Sequence, residues 1–333
     1  MTTCQPIHHA HLTRQQFLRR AFGGLLAGLP CTWSMGNTPP PGYRILIPAN
    51  PGGGWDLTGR ALGQALIDCG EASAVVYENR GGAAGNIGLA QFAGSARHEP
   101  HALMVMGSVM LGGIITGKPP VGLDRVRPVA RLTNEFNVFV LPLRSPYAGM
   151  HELLEQFRKD PASIKWGGGS RGSTEHIAVH KIARALGVAP SRINYVPFRG
   201  GGEAAAAIMA GYVTVGGSGL SEFLPYISSG KMRAVAVTSA DRAEGSDVPT
   251  LRELGLDVVI GNWRGVCAAG GLTDNQYEHL ARALERAMAS ESWRSALERN
   301  QWSPAPMVGL PFENFVKDEF DRMRQVLTRA GLN

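Results

Sequence analysis

Short apolar runs, glycine-rich turns and helix-like periods alternate along most of the chain. Residues 44–49 have the continuous apolar character of a buried strand, and residues 56–67 repeat apolar side chains at helical spacing. The alternation continues with predicted strands at 75–77 and 103–106, separated by a predicted helix at 85–92. This βαβ succession predicts a parallel-type sheet with helices on both faces, and therefore an α/β protein.

A second cycle of the same kind follows and ends in a helical tail. Its predicted strands lie at 136–141, 164–166, 193–196, 212–215, 233–238 and 258–268, and its predicted helices at 151–157, 174–186, 203–209, 221–228, 274–289, 293–299 and 312–329. Two such units are most simply two lobes joined by crossing strands, which we place near 138–142 and 260–265. Strand C-termini and helix N-termini of both lobes would then face one cleft.

The composition is typical of a folded protein, since 44% of the 333 residues are hydrophobic and 18% are charged. Glycine is unusually frequent, with 43 residues, which favours loops built from backbone groups. The formal net charge is +6, and residues 1–36 supply half of this excess with three arginines and no acid. The remaining charge suits the capture of small anions rather than nucleic acid. No apolar run reaches the 18 residues that a membrane span needs.

Residues 1–36 are expected to be an export leader that lies outside the fold. Arg14, Arg19 and Arg20 precede a short apolar stretch at 21–29, and the paired arginines resemble part of a twin-arginine signal. The general export route and a disordered cytosolic arm are the alternatives. With export, the expected location is the periplasm of a Gram-negative-type cell.

The cysteines do not indicate a metal site. Cys4 and Cys31 fall in the expected leader, which leaves Cys69 at the end of a predicted helix and Cys267 in an apolar strand. One disulfide is open to them in an oxidising compartment, but we expect two buried free thiols. The absence of a Cys-x-x-Cys pair excludes a zinc ribbon.

Glycine-rich loops follow the predicted strands of the first unit. Residues 51–56, Pro-Gly-Gly-Gly-Trp-Asp, join the first strand to the first helix, where backbone N–H groups and the helix dipole favour an anion. A tight turn capped by Asp56 is the structural alternative. Residues 79–88 repeat the arrangement with a glycine spacing unlike that of dinucleotide-binding loops, so no nucleotide cofactor is expected. Ser108 ends the third strand at the same edge.

The second unit has matching loops at 167–176 and 197–203. Ser173 or Thr174 can cap the helix after the first of these loops, so that neighbouring N–H groups point into the cleft. Arg171 is able to form a bidentate pair with a carboxylate. A solvated surface arginine is an equally good interpretation of the same residue.

The sequence contains a pattern typical of serine hydrolases, but the residues around it give that pattern little support. Residues 168–172 fit the Gly-x-Ser-x-Gly pattern, and Asp257 and His279 follow in the order of a catalytic triad. The pattern is weak in a chain this rich in glycine, and His279 lies in an ordinary predicted helix. A serine hydrolase that uses Ser170 is therefore a minor alternative.

Two further patterns fail on single residues. Residues 112–118 fit a phosphate-binding loop, but Pro119 stands where a hydroxyl residue must hold Mg²⁺. His176 and His180 have the spacing of a zinc protease helix, but Ile177 stands in the place of its glutamate. We therefore expect a binding protein with no cofactor, no metal and no catalytic residues.

Five segments in order resemble the extracytoplasmic solute-binding proteins of the tripartite tricarboxylate transporter family, also called Bug proteins. The segments are 48–56, 78–88, 194–203, 248–255 and 261–265. The resemblance covers the chain from residue 43 to the C-terminus. It implies a two-lobe, Venus-flytrap periplasmic-binding-protein fold with a ligand cleft between lobes, in which residues 42–138 and 262–333 form lobe 1 and residues 139–261 form lobe 2.

The resemblance also implies binding residues and partners. The ligand-binding residues would be Gly53, Gly54, Trp55, Asp56, Ala83, Ala84, Gly85 and Ser108 from the first lobe, and Ser170, Thr174, His176, Phe198 and Gly200 from the second. The partners implied are a small carboxylate and the large and small subunits of a membrane permease, with the receptor acting as a monomer.

One departure from the family pattern bears on the ligand. Arg171 stands where a small residue is usual, and an additional cation in the cleft would favour a di- or trianion or change the specificity altogether. The Gly-Gly-Gly-Trp-Asp and Asn-Trp-Arg-Gly segments resemble the tricarboxylate branch of the family, which makes citrate the first candidate. The alternatives to transport are a clamshell that presents its ligand to a membrane sensor kinase, and a binder that has lost its ligand.

Overall fold

The computed structural model describes residue 1, residues 39–243 and residues 246–332. The expected export leader lies outside these residues except for Met1, as do Cys4 and Cys31. Among the described residues, every helix is too short or too polar to span a lipid bilayer. Cys69 and Cys267 are both free thiols; Cys267 is buried, whereas Cys69 is only half-buried at the end of a helix.

The first part of the chain builds alternating strands and helices. These elements are β1 (Gly42–Ile47), α1 (Gly54–Asp68), β2 (Ala74–Asn79), α2 (Asn86–Ser95), β3 (Ala102–Gly107), α3 (Ser108–Gly117) and β4 (Val126–Asn134). β1 pairs in parallel with both β2 and β3, so that Ile45 lies opposite Tyr77 on one side and Leu103 on the other. The βαβ succession expected from the sequence therefore forms the parallel part of a sheet.

The middle of the chain forms a separate sheet. Its elements are β5 (Asn137–Pro142), α4 (Met150–Lys159), β6 (Lys165–Gly168), α5 (Thr174–Ala185), β7 (Asn194–Pro197), α6 (Gly201–Met209), β8 (Val215–Gly219), α7 (Leu220–Ser228) and β9 (Met232–Val237). In the described residues this sheet has the strand order β7-β6-β8-β5-β9. β5 runs antiparallel to β8 and β9, whereas β6 is parallel to β7 and β8.

The tail returns to the first sheet. It contains β10 (Arg264–Ala269), α8 (Asp274–Ala289), α9 (Glu291–Asn300), β11 (Ser303–Val308) and α10 (Leu310–Arg329). The first sheet, within the described residues, has the order β11-β4-β10-β3-β1-β2, so β10 lies in its interior. We call this sheet with its helices the first lobe (42–134 and 264–329), and residues 137–260 the second lobe.

The passage between the sheets lies earlier than the sequence predicted. The expected boundary between 138 and 139 would divide β5, but all of β5 belongs to the second sheet. The chain crosses at residues 135 and 136, where Glu135 and Asn262 exchange two backbone hydrogen bonds of 3.3 and 2.7 Å. The two crossing segments therefore form a narrow antiparallel strip between the lobes.

The strand β11 was not predicted at all. Its sequence contains Pro304 and Pro306, which lack the N–H group that a strand interior needs. β11 lies at the edge of the sheet, and its register against β4 shifts between Pro304 and Met307. An edge position tolerates both prolines because one side of the strand has no neighbour.

The lobes touch each other at the rim of the cleft through backbone atoms. Gly112 of α3 lies against Gly172, in the loop before α5, so closely that a side chain on Gly112 would overlap the Gly172 carbonyl oxygen. Beside this contact, the Thr116 hydroxyl donates to the Arg171 carbonyl oxygen at 3.5 Å. The two lobes are thus in a closed arrangement.

Candidate functional site

A cavity of about 160 Å³ lies between the lobes and is lined by loops from both. We call it the central cavity. Its first-lobe wall consists of the loop before α1, the turn before α2 and the start of β10; its second-lobe wall consists of the segments before α5 and α6 and the start of α7. These are the strand ends and helix starts at which α/β proteins bind ligands. The volume suits a small organic molecule.

The glycine loop of the first lobe packs where no side chain would fit. The Gly54 N–H, at the first turn of α1, donates to Glu222 Oε1 at 2.7 Å. A side chain on Gly54 would overlap the guanidinium of Arg264. Gly85 has a left-handed backbone (φ 92°), and a Cβ there would lie 2.7 Å from Trp55 Cζ3. The glycines therefore bring backbone donors to the cavity wall.

Ala83 and Ala84 add backbone strain to the same wall. Their φ angles are 48° and 55°, in the left-handed region that residues with a Cβ rarely adopt. Strained backbone of this kind persists only where its surroundings impose it, and it is concentrated at ligand sites. The turn before α2 is thus held in shape at the cavity wall.

Asp56 supports the glycine loop from behind and does not line the cavity. Its carboxylate accepts hydrogen bonds from the Gly52 N–H, Arg60 Nε and Asn79 Nδ2 at 2.9–3.0 Å. Burial disfavours its charge, but these hydrogen bonds outweigh burial and hold the pKa of Asp56 below its usual range. Asp56 is therefore a positioning residue for the loop.

A buried ion pair lies at the junction of the lobes. Arg264, at the start of β10, is 1% exposed, lines the cavity and pairs through Nη2 with Glu135. The other oxygen of Glu135 accepts the Ser221 N–H, at the start of α7, at 2.5 Å. Arg264 Nε and Nη1 are buried and have no hydrogen-bond partner among the described residues. The buried guanidinium beside the cavity therefore has two nitrogen atoms without a hydrogen-bond partner among the described residues.

Carboxylates dominate the second-lobe wall. Glu222 accepts the Ser218 hydroxyl through Oε2, and Ser218 is itself buried. Glu175, at the first turn of α5, is 4% exposed, and burial raises its pKa to about 7, with the charges of Glu222 and Glu135 adding to the shift. The wall is therefore rich in hydrogen-bond acceptors.

The residue Glu175 makes a testable contribution to the pH dependence of stability. A carboxyl with a raised folded-state pKa stabilises the fold below its unfolded pKa and loses that contribution as the pH rises through about 7. We expect Glu175→Gln to change the free energy of unfolding little at pH 4 and to raise it by about 3 kcal/mol at pH 8. Urea unfolding at pH 4, 6 and 8 measures the difference between variant and native protein.

The control for this measurement is Glu285→Gln, which removes a carboxylate from the exposed face of α8. Its effect on the free energy of unfolding should vary little across the same pH range. A difference between Glu175→Gln and native protein that stays constant from pH 4 to pH 8 would contradict the assignment.

The central cavity brings together part of the set of residues expected from the sequence. The expected residues that line it are Gly53, Gly54, Trp55, Ala83, Ala84, Gly85, Ser170 and Gly200. Those outside its lining are Asp56, Ser108, Arg171, Thr174, His176 and Phe198. The side chains of these six residues make contacts elsewhere, and the contacts differ from one residue to the next.

The buried residues among those outside the lining hold the framework together. Ser108 Oγ donates to the Trp263 carbonyl oxygen at 3.4 Å, and Thr174 Oγ1 lies 3.3 Å from Asn137 Oδ1. His176 Nδ1 accepts the Gly172 N–H at 3.0 Å. Burial, followed by His180 and Arg171, lowers the pKa of His176 to about 3, so its ring is neutral.

The two remaining residues lie away from the central cavity for different reasons. Phe198 packs against the hydrophobic cluster under α6 and α7. Arg171 is exposed and lines a neighbouring cavity that also contains His176 and Thr116. The extra cation expected in the cleft is thus located beside the central cavity, at the rim contact between the lobes.

Several residues that line the cavity were not predicted as site residues. They are Asn50, Glu175, Arg199, Ser218, Glu222, Asn262 and Arg264. Asn262 and Arg264 lie in the segment 261–265, which carried the family resemblance, so this segment contained a usable signal. No sequence signal marked Glu222 as a site residue, because an acidic residue in the first turn is typical of many helices.

The arrangement does not assemble the hydrolase triad suggested by the Gly-x-Ser-x-Gly pattern. Asp257 pairs with Arg252 at 3.1 Å and is exposed, and His279 lines a separate surface cavity with Tyr43 and His101. Ser170 has neither residue in its cavity. Within the described residues, no group of three or more histidine, cysteine, aspartate or glutamate side chains is placed to hold a metal ion.

Comparison with known proteins identifies relatives over most of the chain. Residues 66–332 match the sequence model of a family described as "tripartite tricarboxylate transporter family receptor". Protein BugT of Bordetella pertussis is 27% identical over 310 residues, which cover 92% of this chain and 94% of BugT. The match extends over both lobes.

Two solved structures share the fold. The periplasmic binding protein BugD superposes with a TM-score of 0.79 at 22% identity, over 88% of this chain and 98% of BugD. The R. palustris protein Rpa4515, solved with adipate, has a TM-score of 0.79 at 22% identity, over 89% of this chain and 99% of Rpa4515. The two-lobe α/β fold expected from the sequence, that of a periplasmic binding protein, is thereby confirmed.

Proposed function

We propose, because the chain belongs to the receptor family of tripartite tricarboxylate transporters, that it captures a small carboxylate in the central cavity. The observation that carries the proposal is the buried guanidinium of Arg264, whose Nε and Nη1 have no partner among the described residues. Hydrogen bonds between an ionised donor and a carboxylate are strong in a site shielded from water. The structural similarity to a protein solved with adipate supports a carboxylate ligand.

Closure of the lobes would complete the site. Arg264 and the glycine loop belong to the first lobe, whereas Ser170, Ser218 and Glu222 belong to the second, so a ligand in the cavity would contact both. A ligand that contacts both lobes favours the closed arrangement over an open one. Binding and release require no covalent chemistry, and no enzymatic step is proposed.

The charges of the cavity favour an acid with fewer negative charges than citrate. Arg171, the additional cation that would favour a di- or trianion, is outside the cavity lining. Arg264 is already paired with Glu135, and Glu222 adds a negative charge of its own. A trianion would meet more repulsion than attraction here.

The proposed partner is the two-subunit membrane permease of a tripartite transporter, which would receive the ligand in the periplasm. Family membership supports this partner. The sensor-kinase alternative uses the same capture step and differs only in the recipient. Loss of uptake of the ligand by cells lacking this protein, restored by the native chain, supports transport; intact uptake with loss of a transcriptional response supports the sensor.

Binding itself is tested by isothermal titration calorimetry of the full chain with mono-, di- and tricarboxylates, amino acids and aromatic acids. Thermal unfolding gives a second readout, because a ligand at about 100 times its Kd should add about 2.7 kcal/mol to the free energy of unfolding and raise the melting temperature by several degrees. If no carboxylate of any class binds to the folded chain, the proposed function is wrong. Ester hydrolysis that is lost in Ser170→Ala would instead support the hydrolase.

A further inference from the structure

One carboxylate of the second lobe reaches across the central cavity to the first lobe. Glu222 lies in the first turn of α7, and its Oε1 accepts the Gly54 N–H, at the start of α1, at 2.7 Å. Its Oε2 accepts the hydroxyl of Ser218, which belongs to the same lobe as Glu222. If the lobes separated, the bond to Ser218 would move with Glu222, whereas the bond to Gly54 would break.

The carboxylate of Glu222 lies at the start of two helices, one from each lobe. The first N–H groups of a helix have no partner inside the helix and carry partial positive charge. Gly53, before α1, has no side chain that could cap them. A Cβ on Gly53 would lie 3.3 Å from Glu222 Oε1, and a Cβ on Gly201, at the start of α6, would lie 2.7 Å from Glu222 Cδ. Glycines thus leave room for this carboxylate, and we call its place beside the Gly54 N–H the anion position.

The anion position is also suited to the carboxylate of a ligand. Gly53 and Gly54 line the central cavity, and the guanidinium of Arg264 packs so closely against Gly54 that a side chain there would overlap it. Two carboxylate oxygens that both accept the same N–H group would be close enough to repel each other strongly. A ligand carboxylate can therefore bind to the Gly54 N–H only if Glu222 leaves it.

We propose that Glu222 is an internal competitor for carboxylate ligands: its carboxylate occupies the anion position and links the lobes, and a ligand must displace it. This inference rests on the proposed function and adds the regulation of the same site. Displacement breaks a hydrogen bond to a charged acceptor, which is about twice as strong as one between neutral groups. Glu222 therefore lowers the affinity for ligand, whereas a side chain that only contacts the ligand would raise it.

Glu222→Ala with acetate as the probe tests this competition. The substitution removes a CH₂ group and the carboxylate, which together have the size and charge of acetate. We expect acetate to bind Glu222→Ala at least about tenfold more tightly than native protein, in an NMR titration that follows the Gly54 amide. Acetamide, which has the same shape and no charge, should not show this gain. Equal affinity of acetate for both proteins would overturn the inference.

Hydrogen exchange of the Gly54 amide tests the contact itself, before any acid is added. The N–H group bonded to Glu222 should exchange slowly in native protein and at least about tenfold faster in Glu222→Ala. Acetate should slow the exchange in the variant again, since it takes the place of the missing carboxylate. If the Gly54 amide exchanges equally fast in both proteins, Glu222 does not occupy the anion position in solution.

Glu152→Ala is the matched control. Glu152 also lies in the first turn of a second-lobe helix, α4, and accepts a backbone N–H, that of Ala148, at 2.7 Å. It is exposed, and its partner belongs to the same lobe. The control should keep the native exchange rate at Gly54 and the native affinity for acetate. A gain equal to that of Glu222→Ala would assign the effect to net charge and contradict the proposal.

Larger acids extend the test to the proposed function. Of succinate and adipate, any that binds the native full chain should bind Glu222→Ala at least about tenfold more tightly in calorimetry. Glu222→Gln should give a smaller gain, because glutamine keeps an acceptor for the Gly54 N–H but loses the charge. Weaker binding to both variants than to native protein would mean that Glu222 holds the ligand, and the competitor role would be wrong.

Failure of the proposed function looks different from failure of this inference. If mono-, di- and tricarboxylates bind neither the native chain nor folded Glu222→Ala, the capture of carboxylates is itself wrong. If an acid binds native protein and Glu222→Ala with the same affinity, only the role of Glu222 is wrong and the proposed function stands.

Discussion

Replacing Gly112 by alanine should weaken ligand binding by about 100-fold or more while both lobes remain folded. A Cβ on Gly112 would overlap the Gly172 carbonyl oxygen across the cleft, and a Cβ on Gly172 would lie 2.7 Å from the Gly112 carbonyl oxygen. Both sides of this contact are backbone, so no side chain can rotate away. The closed arrangement would therefore be excluded.

The size of the effect follows from the contacts that an open cavity loses. A ligand held by one lobe forfeits the hydrogen bonds of the other, and each bond to a charged group is worth about 1.5–3 kcal/mol. Losing two of them, about 3–6 kcal/mol together, corresponds to a Kd that is higher by about 100-fold or more. Calorimetry gives the affinity, and small-angle X-ray scattering gives the radius of gyration, which should no longer decrease when ligand is added.

Gly94→Ala is the matched control. Gly94 lies in α2 with open space around its Cα, so the same substitution meets no neighbouring atom there. Native affinity in Gly94→Ala and a large loss in Gly112→Ala would assign the effect to the rim contact. Native affinity in Gly112→Ala would mean that binding does not need the lobes to meet at this point.

Arg264→Met should lower the free energy of unfolding by about 3–5 kcal/mol. The substitution keeps much of the side-chain volume but leaves Glu135, which is fully buried, without its cation. An unpaired buried charge is far more costly than the pair was favourable. Urea unfolding monitored by circular dichroism measures the loss, and a change below about 1 kcal/mol would show that Glu135 does not depend on Arg264.

Two further variants separate the buried charge from other effects. Adding Glu135→Gln to Arg264→Met removes the orphaned charge and should restore at least half of the lost stability. Arg286→Met breaks an ion pair with Glu71 at the surface, where Arg286 is 49% exposed, and should cost about 1 kcal/mol or less. The double variant should nevertheless bind no carboxylate, since its cavity lacks the guanidinium.

The parts of the site that could be predicted are those encoded in contiguous residues. The glycines before α1 and the turn at 83–85 are recognisable in the sequence because each follows a predicted strand, consists of small residues and precedes a predicted helix. Backbone donors at a helix N-terminus are a local property of such a segment. These residues line the central cavity. The second-lobe loops were recognised for the same reason, and Ser170 and Gly200 line the cavity with them.

The side chains that carry charge into the site could not be predicted locally. Arg264 and Glu135 are 129 positions apart, and Gly54 and Glu222 are 168 positions apart. The family-like segment 261–265 marks Arg264, but no local pattern predicts that Arg264 is buried and Arg171 exposed. The difference arises from the topology: β10 is an interior strand, so its first residue enters the junction of the lobes, whereas the loop of Arg171 runs along the rim.

The interior position of β10 also determines the order in which the two lobes can complete their sheets during translation. β3 and β4 leave the ribosome early but are not neighbours in the finished sheet, because β10 separates them. Met104 of β3 pairs with Cys267 of β10, which is made 163 residues later. The second lobe, by contrast, has all its strands within one continuous segment. Since contacts between distant residues form slowly, the lobe that is translated first is the lobe that is completed last.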